Sequence, residues 1–352
     1  MSYRIMFKTL FLFACLLCAL QSCKLPKQDQ ISLAVIPLPI SCEASLRGLY
    51  VVNEEVVWAS GSAGTVLLST DGGTQWKDVS IPQAEINDFR SIHAWDEKGA
   101  IVFGVAGPDF AYKTLDGGNT WNVVYSDTTG GLFFNSVKFG DKQNGLAVSD
   151  PEDSTFFVLK TNDGGNTWQR VKNLPAVANG EANFAASNTC IEYLPSGNVW
   201  IASGGKAARV FYSDDFGQTW EVAKTPMVRG LSTSGIFSIT FKNEHEGIIV
   251  GGIYDQPELN TNIAAYTVNG GKSWLPAVKM PQQYRSCVQF INSEESNVAF
   301  AIGKTGCDIS FDGGINWQYL DNAGYYTYRS VPGKWQGFAA GANGNIVRIN
   351  FN

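Results

Sequence analysis

Ionisable chemistry is sparse in this sequence. Only 16% of its residues are charged, and His93 and His245 are its only histidines. They fall far apart, so a histidine-based metal cluster or nucleophile triad lacks its parts. There is no basic run or Lys/Arg-rich helical pattern, and the net charge is -6, so no nucleic-acid partner is expected. After Leu20 no apolar stretch is long enough to cross a bilayer as a helix. No dinucleotide fingerprint is present, which removes the signal for an oxidoreductase. Gly61-Ser62-Ala63-Gly64 and Gly303-Lys304-Thr305-Gly306 are read as hairpin turns rather than phosphate loops, because no helix follows either. Neither a cofactor nor a metal is expected.

Glycine and aromatic residues are plentiful: 37 Gly, and 12% Phe, Trp and Tyr. With so few charges, this composition suits a β-rich extracytoplasmic protein with many turns. Arg4 and Lys8 precede an apolar run, Leu10 to Leu20, with the form of a secretory signal. Its end, Leu20-Gln21-Ser22-Cys23, resembles a bacterial lipoprotein signal, in which the cysteine becomes the lipidated first residue. Residues 1–22 are therefore assigned to the signal, Cys23 to lipidation and 23–30 to a tether; Lys24 to Gln30 reaches at most about 25 Å. With Cys15, Cys18 and Cys23 assigned to the leader, Cys42, Cys190, Cys287 and Cys307 remain, and no Cys-x-x-Cys pair among them suggests structural zinc. Cys190 and Cys287 sit in apolar strand patterns and read as buried thiols; a disulfide is the alternative in an oxidising compartment.

Thr114-Leu115-Asp116-Gly117-Gly118-Asn119-Thr120-Trp121 organises the rest. Its pattern recurs at Ser69–Trp76, Thr161–Trp168, Ser213–Trp220, Thr267–Trp274 and Ser310–Trp317, with acidic or amide positions Asp71, Asp116, Asp163, Asp215, Asn269 and Asp312 separated by 45, 47, 52, 54 and 43 residues. That period calls for one supersecondary unit per repeat. Each octamer reads as a hairpin turn: Asp accepts backbone N–H groups, the glycine pair supplies φ > 0, and the tryptophan (Trp76, Trp121, Trp168, Trp220, Trp274 or Trp317) packs between units. Six units of four strands are expected over roughly 45–80, 88–126, 133–174, 187–224, 235–279 and 284–320.

After Trp317 the segments 328–331, 337–341 and 344–351 read as three more strands. Gly341-Ala342-Asn343-Gly344 echoes Gly61-Ser62-Ala63-Gly64, making a seventh unit that lacks one strand. Gln30 to Leu38 is a strand without a unit. Four-stranded sheets that cannot bury their faces alone are stable in a closed ring. The expected fold is an all-β, seven-bladed β-propeller over 31–352, its N-terminal strand closing the last blade.

The octamers resemble the Asp-box, or bacterial neuraminidase repeat, found in sialidases, other glycosidases and sortilin-type receptors. Their Asp-Gly-Gly-x-x-Trp form and spacing also resemble the photosystem II assembly and stability factor propellers and their non-photosynthetic relatives. The resemblance implies a protein-binding assembly, stability or recognition factor, and Asp-boxes that lie away from any substrate site. No catalytic residue is assigned. A sialidase-like hydrolase or a glycan-binding propeller is the alternative. Glu192, Tyr325 and Tyr326 are conceivable for its chemistry, but the Phe/Tyr-Arg-Ile-Pro element is absent, Phe89-Arg90-Ser91-Ile92 being the nearest fragment.

Aligning the innermost strands places Arg47, Arg90, Arg285 and Arg329 at one equivalent position, in units adjacent around a closed ring. Four converging guanidinium groups would suit a carboxylate, phosphate or acidic peptide; local ion pairing is the alternative role. Loops on the same face carry Asp109, Asp150–Asp153, Lys206 with Arg209, Tyr254-Asp255 with Glu258, and Asn179–Ser187. The expectation is a monomer, exported and lipid-anchored to a bacterial membrane, whose partner is an envelope or membrane protein, with an acidic peptide or glycan as the ligand chemistry.

Overall fold

The computed structural model describes residues 31–352 apart from 83, 106 and 292–295. The leader, Cys23 and the tether lie outside the described residues. Seven antiparallel sheets account for the strands, and no helix occurs among the described residues. In blade 1 the strands are Leu46–Val51, Val57–Gly61, Val66–Ser69 and Lys77–Asp78, here termed A to D from the channel outward. The A strands touch in cyclic order, and that of blade 1 meets Thr327–Ser330 of blade 7, so the ring is closed. In blade 7 the outermost place is taken by Leu33–Pro37, antiparallel to Ile346–Phe351.

The octamer chemistry explains why each C strand turns into a D strand. In the third box Thr161 Oγ1 accepts the Gly165 N–H at 2.9 Å and donates to Asp163 Oδ1 at 2.7 Å, while Asp163 Oδ1 accepts the Thr167 N–H at 3.0 Å. The glycine pair at 164 and 165 has φ of +72° and +82°, which a Cβ would resist. Asn269 substitutes for aspartate because its Oδ1 still accepts the Ser273 N–H, at 3.0 Å. Backbone N–H and hydroxyl donors of the turn are what the Asp163 carboxylate meets.

Packing between blades is aromatic. Trp220, Trp274 and Trp317 each donate from Nε1 to the carbonyl of the glycine three residues earlier in their own box, Gly217, Gly271 and Gly314, at 3.1, 3.0 and 3.0 Å. Trp200, outside the boxes, stacks on Phe241 of the next blade at 3.5 Å between centroids and donates to Gly270 O at 2.8 Å. Each such buried ring contributes on the order of 2–3 kcal/mol through apolar area alone. His93 is wedged between blades 1 and 3, its ring 4.4 Å from Tyr50 and 4.8 Å from Phe139. Cys42, Cys190, Cys287 and Cys307 are free thiols.

One feature departs from the expected units. The connection between blades 3 and 4, expected as a plain loop over Asn179–Ser187, contains a short strand, Glu181–Ala182, paired with Gly204–Gly205, and both join the sheet of blade 5. A buried Glu181 carboxylate holds it there, accepting from Ser203 and Arg209.

Candidate functional site: the channel mouth

The D-to-A and B-to-C loops share one face, and a cavity of about 390 Å³ opens between them, lined by Arg47, Arg90, Phe184, Phe237, Tyr254, Tyr284, Lys304 and Tyr326 among others. Among the described residues, no carboxylate contributes to its lining. Arg47 comes from strand A of blade 1, and Arg90 immediately precedes strand A of blade 2, Ser91–Ala94. The Arg47 guanidinium lies 4.2 Å from the centre of the Tyr326 ring and donates to Ala186 O at 3.4 Å. Burial and the nearby Arg90 both push its pKa down, the mark of a cation short of a counter-charge. Arg90 is partly balanced by Asp88, at 2.7 Å.

The four expected arginines do not converge. Hydrogen-bond register, counted from the B strands, gives the position of Arg47 to Arg90, Asn135, Thr189, Phe237, Ser286 and Tyr326. Arg285 stands one residue before that position and Arg329 three after it, so the repeated Arg-Ser dipeptide misaligned two of the seven strands. A fully buried Arg285 donates from Nε to Asp308 at 2.6 Å and from Nη1 to Tyr284 O at 2.9 Å. Arg329 points deeper, donating to the carbonyls of Tyr328, Ser187 and Asn188 at 2.8, 2.9 and 2.9 Å. Both hold the ring together; Arg47 and Arg90 face the cavity.

The floor of the cavity is the end of the blade 3–4 connection. Phe184, Ala185 and Ala186 line it, and Ser187 and Asn188 continue across the channel. Ser187 donates to Ser286 O at 2.7 Å, its carbonyl accepts from Thr327 at 2.9 Å, and Asn188 donates to Ile92 O at 2.7 Å. Asn188 Oδ1 also accepts from Ser136 and from the Val137 N–H, at 2.9 and 3.1 Å. One short segment thus ties blades 2, 3, 6 and 7 through the axis. Below it lies a smaller polar chamber of about 120 Å³ with Tyr50, Lys138, Glu192, Gln289 and Arg329 on its walls. Lys138 pairs with Glu192 at 2.8 Å.

That plug separates the residues considered for sialidase-like chemistry. Tyr326 belongs to the mouth and Glu192 to the chamber beneath, so no Tyr–Glu nucleophile pair is assembled from them. The expected loop Asn179–Ser187 does reach the cavity, through Phe184, Ala185 and Ala186, whereas Tyr284, Ser286 and Lys304 were not read as site residues from sequence. Among the loop residues, Tyr254 reaches the cavity, whereas Arg209 is engaged by Glu181 and Asp150 accepts from Asn135 and from the Asn183 N–H, at 3.1 and 3.2 Å. The octamers occupy the C-to-D turns and contribute nothing to the mouth.

The BNR/Asp-box repeat model matches residues 211–222, spanning the fourth octamer. The photosystem II assembly lipoprotein Ycf48 of Synechococcus sp. (strain CC9902) is 24% identical over 251 residues, covering 71% of this chain and 66% of that protein, just under two thirds of its length. The photosystem II assembly protein Ycf48 of Synechococcus sp. (strain JA-2-3B'a(2-13)) is 25% identical over 296 residues, covering 71% and 79% of the two chains. A solved structure of YCF48 bound to a D1 peptide superposes with a TM-score of 0.65 at 16% identity, covering 92% of this chain and 98% of that one, a likeness of fold. The chain is a seven-bladed propeller in which residues 211–222 match the BNR/Asp-box repeat, and it is similar to the photosystem II assembly factor Ycf48.

Proposed function

We propose that this protein is an exported, lipid-anchored and non-catalytic propeller that holds a polypeptide segment of an envelope or membrane protein in its channel mouth, acting as an assembly, stability or recognition factor. The observation that carries this reading is the pairing of Arg47 with Arg90 in one aromatic-walled cavity whose lining, among the described residues, holds no carboxylate. A carboxylate entering there would accept paired N–H donors from either guanidinium and offset their mutual repulsion. The aromatic rings would cover its apolar neighbours. Likeness to an assembly factor, and to a YCF48 structure containing a D1 peptide, supports a peptide as the occupant. Acylation at Cys23 would confine the mouth to within a short tether of the membrane, raising encounters with membrane-embedded partners.

The test is in-cell crosslinking and affinity recovery, comparing wild type with an Arg47→Glu/Arg90→Glu variant. Recovery of a discrete envelope protein by wild type alone is the expected outcome. Equal recovery by both forms would remove the mouth from the reading. Labelled fatty acid should enter wild type and not Cys23→Ser; incorporation that is equal in both, or absent from both, would discard the anchor.

A further inference from the structure

The mouth is lopsided. Strands A and B of blade 5, Ser234–Phe241 and Gly247–Ile253, run to 8 and 7 residues, whereas those of blade 6, Cys287–Phe290 and Ala299–Gly303, run to 4 and 5. Beyond a bulge at Phe237, the additional pairs Ile236↔Gly251, Gly235↔Gly252 and Ser234↔Ile253 lift this hairpin above the ring, by roughly 10 Å at strand rise. Glu181–Ala182 and Gly204–Gly205 are joined to it. Backbones there approach so closely that a Cβ on Gly235 would lie 2.3 Å from Gly204 Cα.

The inner face of this wall is aromatic: Phe184 is stacked on Phe237 at 4.0 Å, and Phe237 meets Tyr284 and Tyr254 edge-on at 4.8 and 6.3 Å. Its crest exposes three large apolar side chains, Leu231 (46%), Tyr254 (44%) and Leu259 (46%). The loops that carry them are held in place by backbone bonds, Tyr254 N–H to Thr233 O at 3.1 Å, Val228 N–H to Asn262 O at 2.8 Å and Tyr284 N–H to Pro257 O at 2.8 Å. Of the three side chains, Tyr254 is continuous with the aromatic face, through Phe237, and lines the cavity. Charge sets its direction. Exposed Asp255 and Glu258 on the crest are offset by exposed Lys206 and Arg229 beside them, whereas Arg47, Arg90 and Lys304 together line the cavity, so an anionic group is drawn into the cavity rather than to the crest.

We propose that the blade 5 wall is the specificity surface for an extended polypeptide carrying a bulky apolar side chain beside an acidic group, with the carboxylate against Arg47 and Arg90 and the apolar side chain on Phe237, Tyr254 and Leu259. This inference rests on the reading of the mouth as a peptide site. It adds that sequence preference lies in the apolar residue and that the segment binds in one direction.

Fluorescence anisotropy with short fluorescein-labelled, C-terminally amidated peptides tests it. The parent carries Leu-Phe followed by Asp-Asp; one counterpart has Ser-Ser for Leu-Phe and the other Asn-Asn for Asp-Asp. Wild type should bind the parent at least about tenfold more tightly than either counterpart, a difference of ~1.4 kcal/mol. A Tyr254→Ser/Leu259→Ser variant, altered at exposed positions, should lose discrimination between Leu-Phe and Ser-Ser while still rejecting Asn-Asn. Arg47→Gln/Arg90→Gln should do the reverse. If the wall variant distinguishes Leu-Phe as well as wild type does, the wall proposal falls and the cationic mouth stands. Should wild type bind no peptide, or the arginine variant still favour Asp-Asp, the mouth itself is misread and both proposals go.

Discussion

Arginine at the centre of this ring does two jobs, and burial decides which. Arg285 is fully buried against Asp308, itself 1% exposed, and burial pushes that carboxyl's pKa up despite the adjacent cation. Desolvation therefore takes back much of what the pair gains. Arg285→Ala, which strands the carboxylate, should cost about 3–5 kcal/mol in chemical denaturation, and Arg285→Met/Asp308→Leu should recover most of that. A loss under about 1 kcal/mol for the single change would show the pair to be dispensable. Arg47→Gln, half-buried at the mouth with one long hydrogen bond to Ala186 O, should change stability by no more than about 1 kcal/mol. His93 supplies a pH handle. Burial, with Lys138 nearby, holds its pKa well below the usual imidazole value, so below about pH 6.5 the unfolded chain takes up a proton that the folded chain refuses. Stability from this residue is complete above that pH and declines on acidification by up to ~1.4 kcal/mol per unit. Denaturation midpoints for wild type and His93→Phe between pH 7 and pH 5 should diverge accordingly; parallel profiles would count against it.

At the scale of elements, legibility follows the range of the contacts. An octamer closes on itself within a few residues, so Ser/Thr, Asp, Gly-Gly and Trp announce their hydrogen bonds in order. Thr161, 2% exposed, accepts the Gly165 N–H. Thr161→Val keeps the shape and removes the acceptor, so urea denaturation should show a loss of about 1–3 kcal/mol; no loss would mean that water or a shifted turn replaces it. The connection from Asn179 to Asn188 behaves differently. Its residues read as a polar loop, yet Glu181 ties it to Arg209, and Ser187 and Asn188 bond to Ser286, Ile92 and Arg329. Those partners lie too far along the chain for any local pattern to announce them.

Across the whole molecule, the last blade draws its strands from both ends of the folded unit. Leu33–Pro37 covers the edge of Ile346–Phe351 through five register pairs, and its side chains are half-buried or exposed, so its contribution is chiefly backbone pairing. Removing 31–37 should leave that edge open to a second chain. Light scattering should then show concentration-dependent association and a lowered thermal midpoint relative to the intact propeller; an unchanged monomer with an unchanged midpoint would assign closure to the axial plug instead.

Repeat period, turn chemistry and the tally of strands were sufficient, without tertiary structure, to specify seven four-stranded units in a ring, because each depends on residues close in sequence or on a count. Which side chains face the mouth depended on hydrogen-bond register between strands, and a slip of one residue turns a side chain to the other face. The eye-catching Arg-Ser dipeptide therefore put Arg285 and Arg329 beside Arg47 and Arg90, while register placed Ser286 and Tyr326 there instead. Only the folded ring decided that two arginines became internal ties and two were left facing solvent, since burial and counter-charge are set by neighbours that the chain brings from distant blades.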